Sequence, residues 1–286
     1  MKKKSTTVAL VLLLLAGLSL LLYPTLADYW NKFRSSRAVS NYVENVQNMD
    51  EKEYERVLDG AKEYNQKLTS QYNGYYLNEA MQAEYQKTLN ISGTGIMGYI
   101  EIPSINCSLP IQHGTNDDVL QTSIGHLEWS SLPVGGESTH CVLSGHRGLP
   151  SARLFTDLDR LREGDTFVLR VLNETLTYEI DKILIVEPND MKNLTVEKGK
   201  DLCTLVTCTP DGVNTHRLLV RGHRTENAED ASSVHVTSDA VRIEPLVVAP
   251  IAAIPLLVLM LTVLFVFDKR KNKNKRTEVK RSENEE

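Results

Sequence analysis

Two uncharged stretches constrain this chain before any other feature. Ser5 to Ala27 runs 23 residues without a charge, is dominated by leucine and follows Lys2, Lys3 and Lys4. Pro245 to Phe267 is a second uncharged stretch of 23 residues, followed by Lys269, Arg270, Lys271, Lys273, Lys275 and Arg276. A helix needs roughly 20 apolar residues to cross a bilayer, so both stretches are long enough. Lys and Arg gather on the cytoplasmic side, and both basic clusters lie at the outer ends of the chain. The expectation is a cell-membrane protein with two transmembrane helices, both termini inside and residues 28–244 outside. The first stretch also fits a cleaved signal peptide, with a basic start and small residues near Thr25 and Ala27. Anchor and signal stay open at this point. The second stretch reads as a stop-transfer anchor, because a buried core helix does not explain its basic flank.

Between those ends the chain is acidic, with 33 acidic against 21 basic side chains over residues 5–268. Phosphate backbones demand the opposite sign, so no nucleic-acid partner is expected. Four cysteines (Cys107, Cys141, Cys203 and Cys208) are too few for a disulfide framework in a large ectodomain. If one is a working thiol, at most one disulfide remains.

The periodicity divides the ectodomain. Residues 38–70 place Val43, Val46, Tyr54, Val57, Leu58, Ala61, Tyr64 and Leu68 at helical spacing, with Ser40 or Asn41 as a cap. A looser segment with an Asn-Gly turn signal and three tyrosines follows. From Gly95 the pattern becomes short alternating runs separated by Gly, Pro, Asn and Asp, which predicts an antiparallel β domain, a barrel or sandwich. Only "SARLFTDLDRLREGD" looks helical there. The expected order is an anchor or signal over 1–27, a helical arm over 28–94, a mainly β domain over 95–226 and a linker over 227–244. A transmembrane helix over 245–267 and a basic cytoplasmic tail over 268–286 complete it.

Three groups are able to carry chemistry: His146 in "SGHRG", Cys208 in "LVTC", and Arg217 in "THRLLVRG". A thiolate is the nucleophile, and a free thiol with a pKa of about 8.5 needs activation. A histidine exchanges the proton near neutral pH, and a fixed cation steadies an oxyanion. Together they form a minimal set for thiol-based acyl transfer. Strand parity puts Thr204, Val206 and Cys208 on one face, and Arg217, Leu219 and Arg221 on one face of the next strand. A return through Thr-Pro-Asp-Gly-Val-Asn sets Arg217 near Cys208, with Arg221 about 7 Å further along. Spacing alone does not bring His146 there. Taken singly, each residue has a duller reading as core thiol, turn histidine or edge-strand charge. A zinc site from Cys203, Cys208, His216 and His223 fails, because six residues separate the histidines and parity sends the two cysteines to opposite faces. Neither metal nor cofactor is expected.

"GYIEIPSIN", "LPIQHGT", "GHLEWSSLPVGG", "GHRGLPSARLFTDLDRLREGD" and "LVTCTPDGVNTHRLLVRGHR" together resemble the sortases, membrane-anchored cysteine transpeptidases of Gram-positive bacteria. The likeness runs from about Gly95 to Arg224 and is nearest to class C, the pilus-building branch. It implies a closed β-barrel, with Cys208 as nucleophile, His146 as general acid/base and Arg217 orienting substrate and steadying the oxyanion. It also implies that Thr207, next to the thiol, contacts substrate or oxyanion. The substrates implied are pilins or surface proteins with an LPXTG-like sorting signal, cut between Thr and Gly through a thioester and passed to a pilin lysine. The alternatives are attachment to a cell-wall peptide amine, or a non-catalytic surface-assembly domain. Class C enzymes often carry a lid with an Asp-Pro-aromatic motif, yet none of the ten prolines here follows an aspartate. Tyr72, Tyr75 and Tyr76 are the lid candidates in its place. Asp211 is a second departure, putting a negative charge where the branch often has an aromatic.

Overall fold

A computed structural model describes residues 2–71 and 75–227 of the chain. Helix α1, Lys2–Gln47, contains Pro24 and carries the first uncharged stretch. By length and composition it is able to cross a membrane, and Leu13, Leu20 and Leu21 on it are exposed. The second uncharged stretch, the linker and the basic tail lie outside the described residues.

The arm departs from the sequence expectation. The chain does not start a helix at Ser40 or Asn41, because α1 runs through both and ends at Gln47. Helix α2, Glu51–Gln71, begins after a break at which the Asp50 carboxylate accepts from the Glu53 N–H at 2.8 Å. The short polar turn Asn48–Met49–Asp50 supplies the cap that a continuous periodic reading overlooks. A third helix, α3, Glu79–Lys87, is capped by Asn78, whose side chain accepts from the Met81 N–H.

These helices pack on a barrel. Its strands are β1 Ile96–Ile102, β2 Cys107–His113, β3 Ile124–His126, β4 Thr139–Ser144, β5 Thr166–Val171, β6 Glu174–Val186, β7 Asp201–Thr209 and β8 His216–Arg224. They close in the order β1-β2-β3-β4-β7-β8-β6-β5, with β1 pairing β5. The fold is thus mainly β, a closed eight-stranded barrel with short helices. Most neighbours are antiparallel, but β2–β3 and β4–β7 are parallel. Closure leaves no unpaired edge, which suits a sheet that must keep its ends free for function.

The core fills the barrel and continues under the arm. Leu58, Ala61, Tyr64 and Leu68 of α2 are buried at spacings of three and four residues, one helix face. Polar side chains fix the arm's register. The Tyr42 hydroxyl donates to the Met97 carbonyl at 2.9 Å and accepts from the Leu172 N–H at 2.7 Å. Asn65 donates to the Leu132 carbonyl at 3.1 Å and accepts from the Leu132 N–H at 2.7 Å. The segment from Ser151 to Asp165 is another departure. It forms turns and one 3-10 turn, Leu158–Arg160, not a helix. Its Leu154, Phe155, Leu158 and Leu161 mimic helical spacing, but all four are buried in the core and Leu154 adopts a positive φ of 38°.

Asn65→Ala leaves a buried N–H and a buried carbonyl without partners. It is expected to cost about 2 kcal/mol of stability, read as a lower thermal midpoint of the full chain in detergent. An unchanged midpoint would contradict the arm's docking role.

Candidate active site

Cys208 is the penultimate residue of β7, and Arg217 is the second residue of β8. The β7–β8 register makes them Cα partners, with Val206 opposite Leu219 and Thr204 opposite Arg221. All six lie on the outer face of the barrel. The inner face takes Cys203, Leu205 and Thr207, each fully or almost fully buried. The parity read from the sequence is the parity of the strands.

His146 follows β4, two residues past its end. That strand runs parallel to β7 with Cys141 opposite Cys203 and Ser144 opposite Val206. The last paired position is Ser144 opposite Val206, so His146 and Cys208 each follow two residues beyond that pair. Two bonds hold the strand ends together past the last pair. The Gly145 N–H donates to the Val206 carbonyl at 3.1 Å, and the Thr207 hydroxyl donates to the Gly145 carbonyl at 2.8 Å. Thr207 is 2% exposed, so its side chain ties the two strands from inside the barrel. Gly145 allows the close approach, since a Cβ there would stand 2.7 Å from both Ile124 and Phe155. Beyond His146, a Cβ on Gly148 would collide with the Asp211 carboxylate, which places the β7–β8 turn against the histidine loop.

The two arginines differ in their commitments. Arg221 makes a two-point pair with Asp181, at 3.0 and 2.7 Å, and reaches Glu197 at 2.7 Å. Arg217 makes no carboxylate pair among the described residues. Its guanidinium donates only to the carbonyls of Asn214 and His216, at 3.2 and 3.1 Å. A cation held by neutral carbonyls keeps its charge available to a substrate; one clamped by two carboxylates does not.

A cleft of about 220 Å³ opens beside Arg217, lined among others by Ser144, Val186, Met191, Leu194, Val206 and Leu219. Its floor is apolar, because Val142, Leu194, Val206 and Leu219 form a second buried cluster outside the barrel. The long β6–β7 connection covers that cluster, and His140 pins it. His140 donates from Nδ1 to the Thr195 carbonyl at 2.8 Å, and its Nε2 accepts from the Thr204 hydroxyl at 2.7 Å. Sequence reading missed His140, whose only signal is a polar residue inside an apolar strand.

Tyr75 lies elsewhere. Its ring meets Trp129 edge-on at 5.0 Å, beside a neighbouring cleft of about 410 Å³ that shares Leu194 with the first. Tyr76 is 88% exposed, and Tyr72 lies outside the described residues. The other cysteines are unsuited to exchange. Burial pushes the Cys107 thiol up to about 12 and holds Cys203 well above the ordinary thiol range. Burial acts on Cys141 in the same direction and is outweighed by hydrogen bonds from Cys203 and His126, which lower it, but that thiol is buried in the barrel core, out of reach of a peptide. No group of His, Cys, Asp and Glu able to hold a metal occurs among the described residues.

Residues 100–225 match the family described as the sortase domain. A crystal structure of sortase C1 from Streptococcus agalactiae is 55% identical, covers 67% of this chain and 100% of that one, and superposes with a TM-score of 0.66. The chain belongs to the sortase family. Sortase C of Streptococcus pneumoniae is 41% identical over 67% of this chain and 97% of its own, with a TM-score of 0.59. Sortase D of Bacillus subtilis is 35% identical over 133 residues, which span 46% of this chain and 64% of that relative. Sortases are cysteine transpeptidases, and most of these structural neighbours are named sortase C.

Burial holds the His140 imidazole below its usual value of about 6.5, so the fold keeps it neutral while the unfolded chain takes up a proton first. Its contribution to stability is therefore complete above pH of about 6.5 and is lost as the pH falls below that value. Thermal midpoints measured in detergent from pH 8 to pH 5 are expected to drop at the acidic end, and less so in His140→Gln.

Proposed function

We propose that this sortase joins a sorting signal to a pilin lysine through a thioester on Cys208. Cys208 Sγ attacks the Thr carbonyl of an LPXTG-like signal and the Thr–Gly bond breaks. His146 supplies the proton that leaves with the glycine amine. The lysine amine of the acceptor then attacks the thioester, His146 takes its proton, and Cys208 departs as the leaving group. Dividing one amide exchange into two acyl transfers lowers each barrier. Arg217 faces the carbonyl oxygen as negative charge develops on it. Thr207 serves the same centre by fixing the Gly145 carbonyl beneath His146, and substrate contact falls to its backbone.

The observation that carries this reading is the pairing of Cys208 with Arg217 across β7 and β8, supported by the end of β4 beside β7 two residues before His146. The apolar cleft floor beside Arg217 suits the Leu-Pro part of the signal. Kinship with the pneumococcal sortase C, whose structure is described in terms of pilin substrate specificity, supports a pilin as acceptor. Tyr72, Tyr75 and Tyr76 stay our lid candidates, although the contact of Tyr75 with Trp129 sets it beside the neighbouring cleft and not against Arg217. The apolar run in α1 supports membrane anchoring. We place both termini inside, the second span over 245–267 and the catalytic domain, residues 95–226, outside.

Linkage mapping tests the assignment. Full-length protein in detergent, given a sorting-signal peptide and a lysine-bearing pilin fragment, is expected to yield an isopeptide between Thr and lysine. His146→Ala should slow this by about 10²–10⁴ and Arg217→Ala by about 10²–10³, whereas Arg221→Ala should leave the chemical step much less affected. Product formed only with wall-peptide amines would move the function to surface-protein anchoring.

A bell-shaped pH dependence of kcat/KM, reporting the macroscopic titrations of the Cys–His pair, is expected of the wild type. A profile of the same shape in His146→Ala would remove His146 from the acid/base role.

A further inference from the structure

The loop that follows His146 has little structure of its own. Between Gly145 and Phe155 its regular pairing is one isolated bridge, Leu149 to Ala152, and Leu154 sits at a positive φ of 38°. Its internal ties are few. The Phe155 N–H donates to the His146 carbonyl at 3.1 Å, the Gly148 N–H to the Thr156 hydroxyl at 3.2 Å, and Arg147 reaches Asp159 at 2.6 Å. A histidine that must exchange a proton with a thiol and a departing amine needs its backbone fixed to within a fraction of an ångström. Arg153 also pairs with Asp157 at 2.6 Å and its carbonyl accepts from the Thr156 N–H at 2.7 Å, and two more backbone ties come from far away in the sequence.

They come from α1. The Asp28 carboxylate accepts from the Arg153 N–H at 2.9 Å, and the Asn31 side-chain amide donates to the Ser151 carbonyl at 2.8 Å. One turn further on, the Ser35 hydroxyl points at the Thr122 carbonyl at 3.4 Å. Positions 28, 31 and 35 follow the i, i+3, i+7 spacing of one helix face. Lys32, one turn along, stands 3.5 Å from the second oxygen of Asp28 and holds the carboxylate in place. The other side chains of this stretch look outward, with Tyr29, Trp30 and Phe33 exposed. A helix that only tethered the barrel would have no need to satisfy two backbone groups on either side of Ala152.

We propose that Asp28 and Asn31 are positioning residues for His146, holding the 146–155 loop in its catalytic shape through Ser151 and Arg153. The path is short: the two side chains fix Ser151 and Arg153, Leu154 and Phe155 drop into the core, and Phe155 grips the His146 carbonyl. The arm just beyond the apolar run is then part of the catalytic apparatus. This inference rests on the acid/base role assigned to His146.

The test uses full-length protein in detergent with the single and double variants Asp28→Ala and Asn31→Ala, and with Asp28→Asn. Asparagine keeps an oxygen that accepts from the Arg153 N–H. The double alanine variant is expected to lose about ten-fold or more in kcat for peptide cleavage with KM little changed, and its amides over 146–155 should exchange faster. Asp28→Asn should stay within about two-fold of wild type on both counts. Unchanged exchange over 146–155 in the double variant would overturn the proposal whether or not the protein cleaves the peptide. So would equal losses in Asp28→Asn and Asp28→Ala, which would point to the charge or the fold and not to the hydrogen bond. Wild-type protein that forms no acyl-enzyme would instead count against the transpeptidase reading, and the exchange measurement separates the two failures.

Discussion

The structure turns on the alignment of three adjacent strands, with β4 and β7 parallel and β7 and β8 antiparallel. Backbone pairing between β4 and β7 sets Cys141 against Cys203 and Ser144 against Val206, and the pairing between β7 and β8 sets Cys208 against Arg217. A slip of one residue in β7 would turn the thiol into the barrel core and expose Thr207 in its place. Register is well specified here because the inner face is packed with Leu205, Cys203 and Leu143, which have no alternative place to go. The hydrophobic effect that closes the barrel thereby also fixes which face carries Cys208 and Arg217. Thr207 and Gly145 extend that control past the last strand pair, where the sheet itself stops.

Outside the barrel, the same strands support a second, smaller apolar layer. Val142, Val206 and Leu219 face outward beneath the β6–β7 connection, and Leu194 from that connection closes over them. His140 and Arg221 keep the connection in place from two sides, one through Thr195 and the other through Glu197. The cleft beside Arg217 is thus shaped by groups that are themselves held. The arm adds a further layer of support, because Tyr42 and Asn65 satisfy backbone groups that the barrel leaves open.

What the sequence revealed and what it concealed follow from the range of the interactions. Period-two alternation is local, so the faces of Cys208 and Arg217 and the antiparallel return between them were legible from residues 202–221. The family resemblance named the barrel before its closure was visible. His146 was placed by resemblance alone, since β4 and β7 are parallel and some 60 residues apart, and parallel pairing leaves no turn signal in between. Helical periodicity misled twice. Leu154, Phe155, Leu158 and Leu161 have helical spacing, yet they serve as plugs in an irregular segment, where tertiary burial overrides local preference. The break at residues 48–50 was hidden because apolar residues continue at helical spacing across it. The bonds from Asp28 and Asn31 had no signal at all, being single polar contacts to backbone groups 120 or more residues away.

The most direct measurement of the central claim is the intact mass of the full-length protein, in detergent, after brief mixing with a sorting-signal peptide and quenching in acid. The account predicts one acyl adduct, labile to hydroxylamine, mapped to Cys208 and absent in Cys208→Ala. An adduct on Cys107, or continued peptide cleavage by Cys208→Ala, would contradict it.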